Sequence, residues 1–271
     1  MSAFIDKLRQ GQPQLGLCVM YPAPGIVERI GPDWDWIWID GQHGQHGYQD
    51  VMGLVRACNL IQRPAFVRVP GHERGLIGLA LDSGADAVIV PQVESVADAQ
   101  AIVTAAKFPP LGQRSYGGRR PVDLHGRTYS DTANTEILLV AQIESPQAID
   151  AVDAIAAVPG IDALFLGPDD IMIRRGYAMT APRNKDTLGK DMEAVTAACR
   201  RHGKIACTVG FGADMLSLSV STGFQLIVSG GDVAFLASTS TQASKDARAT
   251  LKGVKPPAPA TGGTKGPSSP Y

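Results

Sequence analysis

Short runs of apolar residues recur along this chain, each followed by a longer segment with helical spacing. The runs fall at 15–20, 36–40, 65–69, 87–91, 137–144, 163–167, 204–208 and 225–229. Most are continuously apolar rather than alternating, as in parallel strands covered on both faces. Between them lie Ala-, Leu- and Val-rich segments of helical length, such as 49–61, 74–83, 96–107, 147–158 and 188–202. Ser95 ahead of Val96-Ala97-Asp98 supplies helix-start chemistry, and Asp82-Ser83-Gly84 supplies helix-stop chemistry. Eight strands, each followed by a helix, predict an α/β chain folded as a (β/α)₈ TIM barrel. An open doubly wound sheet would use fewer strands, and the single GxG, Gly210-Phe211-Gly212, lacks a third glycine and is weak evidence for a dinucleotide.

Two segments break the repeat. Residues 109–134 read as a long loop rich in Gly and Arg, including Gly117-Gly118-Arg119-Arg120-Pro121. A loop of that length in a compact domain is usually functional. Residues 253–271 are Pro, Gly, Ser, Thr and Lys with almost nothing to bury, the composition of a disordered tail. The expected organisation is therefore one barrel over 1–252 and a tail over 253–271.

Composition narrows the function. At 271 residues, 44% hydrophobic and 19% charged, the chain has enough apolar material for one large core. A formal net charge of −1 with no long basic run gives little support to nucleic-acid binding. Cys18, Cys58, Cys199 and Cys207 have no CxxC spacing and read as buried free thiols in a reducing cytoplasm. The first residues lack the basic-then-apolar profile of a signal peptide, and no uncharged apolar stretch approaches the roughly 20 residues a membrane helix needs. A cytoplasmic location is the expectation.

In a barrel the chemistry gathers at the carboxyl ends of the strands. The fifth apolar run ends at Glu144, and the sixth passes through Gly167-Pro168 into Asp169-Asp170. Alone, either carboxylate is an ordinary solvated loop residue. Together, one helix apart, Glu144 and Asp170 are candidates to share one hard divalent cation. Oxygen ligation favours Mg²⁺ or Mn²⁺ over zinc. Pro168 suits a first helical turn, whose free N–H groups at Asp169 and Asp170 suit either a substrate carboxylate or an ordinary capped turn. Arg68 ends an apolar strand and needs an anion: Asp40 as pure structure, a substrate oxyanion, or both. His43 follows a Gly41 turn that would carry it over the barrel mouth, whereas His46 and His72 read as surface residues.

The motifs Ile39-Asp40-Gly41-Gln42-His43-Gly44, Val67-Arg68-Val69-Pro70, Leu81-Asp82-Ser83-Gly84-Ala85, Val90-Pro91-Gln92-Val93-Glu94-Ser95, Gln142-Ile143-Glu144-Ser145 and Phe165-Leu166-Gly167-Pro168-Asp169-Asp170-Ile171 occur in this order. Together they resemble the HpcH/HpaI aldolase family over about residues 10–250. The resemblance implies a barrel of the phosphoenolpyruvate/pyruvate-domain type, in a hexamer built as a dimer of trimers with the last helix exchanged between subunits. It also implies a class II aldolase that reversibly cleaves a 4-hydroxy-2-oxo acid to pyruvate and an aldehyde, using Mg²⁺, Mn²⁺ or Co²⁺. By the same resemblance Glu144 and Asp170 hold the metal, His43 is the base with Asp82 as its dyad partner, and Arg68 meets the pyruvyl oxygen. Gly167, Pro168, Asp169 and Gln142 join Arg68 in binding substrate. The alternatives are an acyl-CoA lyase of the citrate-lyase β-subunit-like type, which the His43 motif disfavours, and a non-catalytic oxo-acid-binding barrel. Three positions depart from the family pattern: Gln42 where Glu is usual, Asp169 where Ala is usual, and Met172 where Ser is usual. Arg119, Arg120, Arg174 and Arg175 are candidates to receive an acidic aldehyde, or are surface charges.

Overall fold

The computed structural model describes residues 2–257 of the chain. Eight strands, β1 (Gln14–Val19), β2 (Trp36–Asp40), β3 (Ala65–Arg68), β4 (Ala87–Val90), β5 (Leu138–Ile143), β6 (Ala163–Leu166), β7 (Ile205–Val209) and β8 (Leu226–Gly231), close into one parallel barrel in chain order. The predicted (β/α)₈ architecture is the observed one, and each predicted strand overlaps its counterpart.

The apolar runs have two destinations because successive side chains on a strand point to opposite faces. One set faces outward onto the surrounding helices, with Ile37, Ile39, Val67, Val88, Leu139, Ile143, Leu164 and Leu166 among its members. The other fills the barrel interior: Trp36, Trp38, Phe66, Ile89, Val140, Phe165, Cys207 and Val228. Trp36, Phe66 and Phe165 are fully buried there, each contributing about 2–3 kcal/mol by the area it removes from water. The helix Ser2–Arg9 adds Ile5 and Leu8 to the same cluster at the amino-terminal end of the barrel. Gly16 on β1 is small because the Trp36 ring occupies the space a Cβ would need.

Period-two alternation then determines where the polar residues go. On β2 the inward series Trp36, Trp38 continues to Asp40; on β3 Phe66 continues to Arg68, which is paired in register with Asp40. On β5 Leu138 and Val140 continue to Gln142, and two residues further to Glu144. The apolar interior thus gives way to a polar ring at the carboxyl end, built from the strands themselves.

The seam between the first and last strands is also fixed at this end. β1 pairs with β8 in parallel, with a shift in register between Gly16 and Leu17. Asp232, immediately after β8, is buried, and its carboxylate accepts from the backbone N–H groups of Met20 (3.1 Å) and Tyr21 (3.0 Å) just beyond β1.

Two local expectations are corrected. Residues 109–134 are not a featureless loop: they contain the helix Arg119–His125 and the start of Tyr129–Glu136. Phe108, Tyr129 and Ala133 form a small apolar cluster beneath them, and the Asn134 side chain clasps both the N–H (2.8 Å) and C=O (2.9 Å) of Phe108. Segment 147–158 is two short helices, Pro146–Asp150 and Val152–Ala156, broken where Ala151 leaves ideal helical geometry (φ −92°, ψ −1°).

The chain forms two compact units, the barrel ending at Val233 and a second beginning at Ala234. The second is formed mainly by the helix Asp232–Lys252, on which Leu236 and Leu251 are exposed. Most of the expected tail, residues 258–271, lies outside the described residues. Among the described residues no helix is long and apolar enough to cross a membrane. All four cysteines are buried and unpaired, and burial pushes their thiols upward, which keeps them protonated and inert.

Candidate active site

A cavity of about 640 Å³ opens at the carboxyl end of the barrel. Trp38, His43, Arg68, Gln142, Phe165 and the turn from Gly167 to Asp170 line one part of it. The turn after β7, from Phe211 to Met215, lines another, and Arg183 joins from the loop that precedes the helix Lys185–His202.

Glu144 is the deepest carboxylate of the site, 1% exposed. Its Oε1 accepts from the backbone N–H of Gln92 (2.8 Å) and its Oε2 from the Gln142 amide (2.5 Å). Gln92 adopts a left-handed backbone (φ 54°), rare for a residue with a side chain, and this turn is what aims its N–H at the carboxylate. Burial raises the Glu144 carboxyl above the usual range, and the nearby Asp170 charge raises it further. Both of its hydrogen-bond donors are neutral. Arg68 offsets this only in part, so Glu144 and Asp170 are a pair of acids that a divalent cation would suit. Among the described residues no cluster of three or more His, Cys, Asp or Glu forms.

Arg68 is 6% exposed and bound to Asp40 through both arms, Nε to Oδ1 at 2.8 Å and Nη2 to Oδ2 at 2.6 Å. Its Nη1 lies 3.5 Å from the Gln142 side-chain oxygen, and its guanidinium stacks 4.6 Å above the Trp38 ring. The fork is thus held rigid with one edge turned toward the cavity. Burial pushes the Asp40 carboxyl upward, but Arg68 and the N–H groups of His43 and Gln42 outweigh it and hold Asp40 below its ordinary value. The same N–H contacts, at 3.2 and 3.1 Å, fix the turn that carries His43. Gly41 is required there by close approach, since a Cβ would stand 2.6 Å from the Arg68 carbonyl oxygen.

The turn at Gly167 is similarly tight. A Cβ on Gly167 would lie 2.8 Å from both Cβ and Oε2 of Glu144. Pro168 then opens the helix Pro168–Arg174, whose first-turn N–H groups have no intrahelical acceptor. Met172 is fully buried on this helix and packs in the core, so that departure carries no chemistry at the site.

His43, Arg68, Gln142, Gly167, Pro168, Asp169 and Asp170 all border the one cavity, and Glu144 sits behind Gln142 and Gly167. Asp82 does not join them. The helix Arg74–Asp82 returns the chain from the carboxyl end of β3 to the amino end of β4, so its last residue stands at the opposite end of the barrel. There Asp82 accepts from Arg114 at 3.1 Å, and within one chain it does not reach His43. Arg174 and Arg175 are likewise committed elsewhere, to Glu94 and to Asp191 (2.6 Å). Arg119 pairs with Asp123, and Arg120 donates to the Ser83 carbonyl (2.8 Å) and to Asn59. His46 and His72 each bind a backbone carbonyl, of Val19 (3.0 Å) and Pro91 (2.7 Å). Sequence reasoning missed Trp38, Phe211 and Arg183 as cavity residues. Only Trp38 carried a signal, its inward phase on β2; the other two arrive on loops without periodicity.

Comparison with known proteins agrees with this geometry. The family profile described as HpcH/HpaI aldolase/citrate lyase matches residues 25–238. A 4-hydroxy-2-oxovalerate aldolase of Novosphingobium aromaticivorans is 42% identical over 65% of this chain and 68% of its own length. A 2-dehydro-3,6-dideoxy-6-sulfogluconate aldolase of Pseudomonas putida is 30% identical over 85% of this chain and 90% of its own. The crystal structure of an HpcH/HpaI aldolase/citrate lyase family protein from Burkholderia cenocepacia J2315 superposes with a TM-score of 0.80. It is 30% identical and covers 92% of this chain and 100% of that one. With the motifs at the strand ends, the barrel beneath them and aldolases as its relatives, this chain belongs to the HpcH/HpaI aldolase/citrate lyase family and is a carbon–carbon lyase of the aldolase type.

Proposed function

We propose that the substrate is a 4-hydroxy-2-oxo acid, cleaved reversibly to pyruvate and an aldehyde at the cavity described above. The observation that carries this reading is the convergence of Asp170, Arg68 and His43 on one strand-end cavity, with Glu144 directly behind its wall at Gln142 and Gly167. Glu144 and Asp170 would hold Mg²⁺, Mn²⁺ or Co²⁺, which when bound supplies Lewis-acid polarisation of the substrate ketone.

The chain's own groups account for the remaining steps. Arg68, immobilised by Asp40, presents a fixed positive edge to the oxygen on which negative charge develops. The first-turn N–H groups after Gly167-Pro168 receive the substrate carboxylate, and the missing Gly167 side chain leaves room beside Glu144. In cleavage the C3–C4 bond breaks and its electron pair passes into the pyruvate enolate, while His43 takes the C4 hydroxyl proton as the aldehyde carbonyl forms. Protonation at C3 then gives pyruvate; condensation reverses each transfer. The relative from Novosphingobium aromaticivorans is named for 4-hydroxy-2-oxovalerate, which makes that compound the first substrate to assay.

The reading extends to a homo-oligomer, a hexamer with the helix Asp232–Lys252 exchanged between copies, supported by exposed Leu236, Leu251 and Val254. It also extends to a reducing cytoplasm, supported by four buried free thiols. The chemistry is tested by proton NMR of pyruvate in D₂O with Mn²⁺, Mg²⁺ or Co²⁺. Loss of the methyl signal that chelation abolishes is expected. Absence of exchange with all three cations refutes the reading.

A further inference from the structure

The cavity mouth carries a charge arrangement that bears on the second product. Arg68 is neutralised by Asp40 deep in the site. The other arginine lining the cavity is Arg183, whose Nε donates to Asp169 Oδ1 at 2.6 Å. Asp169 stands next to Asp170 on the turn where the chain departs from its family pattern. Asp214, exposed on the turn after β7, also lines the cavity and adds a second carboxylate near the half-exposed ring of Phe211. Arg174 and Arg175 are tied to Glu94 and Asp191. Leaving aside the Arg68–Asp40 pair and the metal carboxylates, the mouth holds one guanidinium against two carboxylates.

Building on the aldolase reading, we propose that Asp169 is a specificity-determining residue: by occupying Arg183 it excludes aldehydes with a terminal carboxylate and favours uncharged ones. A carboxylate arriving at the mouth would have to displace Asp169 from Arg183 and would face Asp214 as well. The pair is partly exposed, Arg183 at 33% and Asp169 at 57% of the side chain, so its strength is modest. Its influence lies in selection. A guanidinium already engaged offers no bidentate seat to a second carboxylate, and like charge at the rim penalises the wrong partner. An uncharged aldehyde meets neither obstacle and finds apolar contact at Phe211.

The test is the ratio of kcat/KM for pyruvate condensation with succinic semialdehyde to that with propanal, measured in each variant. Because it is a ratio, a variant's overall loss of activity cancels. Asp169→Ala and Asp169→Asn are expected to raise the ratio about tenfold by freeing Arg183. Arg183→Gln is expected to move it the other way, since it leaves Asp169 uncompensated. Failure of the ratio to rise in the Asp169 variants, or movement of Arg183→Gln in the same direction as them, overturns the inference. Should the wild-type chain fail to exchange pyruvate protons, the underlying aldolase reading fails instead, and the two failures are thereby separate.

Discussion

Glu144 has two obligations that pull in opposite directions. As a buried carboxylate beside Asp170 it is unfavourable in its charged form, and that same unfavourable charge is what would attract a cation. Glu144→Gln removes that charge, so in the absence of metal its melting temperature should fall less than that of the wild type as pH rises from acid to neutral. With Mn²⁺ at about a hundred times its Kd, wild type gains about 2.7 kcal/mol and the variant essentially nothing. Pyruvate proton exchange should fall about a hundredfold or more in the variant. Thermal denaturation across pH, with and without Mn²⁺, reads the first two effects, and NMR the third. An equal response to Mn²⁺ in both proteins removes Glu144 from the metal site. At this scale the sequence was informative where a polar residue closes an apolar run. Asp40, Arg68 and Glu144 were legible from their places at strand ends, and Gln142 only from the family motif that carries it. Arg183 was not, because its meaning depends on Asp169, which the loop folds against it.

Among the elements, β6 and the turn that follows show how closely the backbone and the Glu144 side chain are fitted. Gly167 has an ordinary negative φ (−90°), so it is not glycine for backbone reasons. It is glycine because Glu144 occupies the space of its Cβ. Gly167→Ala should displace Glu144 rather than distort the helix Pro168–Arg174. The expected cost is about 1–3 kcal/mol of stability, with weaker Mn²⁺ binding by calorimetry. Loss of stability with unchanged Mn²⁺ affinity would contradict this placement. The helices show the limits of pattern reading. Tyr129–Glu136 is anchored by the tertiary contacts of Tyr129 and Asn134 with Phe108, more than by any apolar stripe of its own. Within one chain Asp82 stands away from the cavity for a topological reason: a family motif identifies the residue, but the returning helix decides at which end of the barrel it lies.

For the whole molecule, the two perturbed carboxyls of the site give acid and neutral pH different meanings. Asp40 is held below its unfolded value, so its contribution to stability is present above that value and is lost as pH falls through its folded pKa. Glu144 is raised, so in the metal-free chain its contribution has the opposite sense: present in acid and lost as pH rises through its folded pKa. A bound cation competes with that proton. The gap in melting temperature between Mn²⁺-loaded and chelated protein should therefore be small in acid and widen toward neutrality. A gap independent of pH would disconnect the cation from Glu144. The barrel itself was almost wholly legible, since continuous apolar runs leave few other places for eight strands to go. The boundary at Ala234 falls inside the helix Asp232–Lys252, so no break in the element marks it along the sequence.

The clasp of Asp232 on the backbone of Met20 and Tyr21 has a consequence for the life of the chain before it is complete. β1 is the first strand to be synthesised and β8 the last, yet they are neighbours, and the cavity lies at the end where they are fastened. While the chain is still on the ribosome, Arg68 and Glu144 have emerged, but no closed ring exists to hold them face to face. Chemistry is therefore expected only once the final strand has closed the circle. A chain released before β8 should show no pyruvate proton exchange by NMR, and exchange by such a fragment would contradict this.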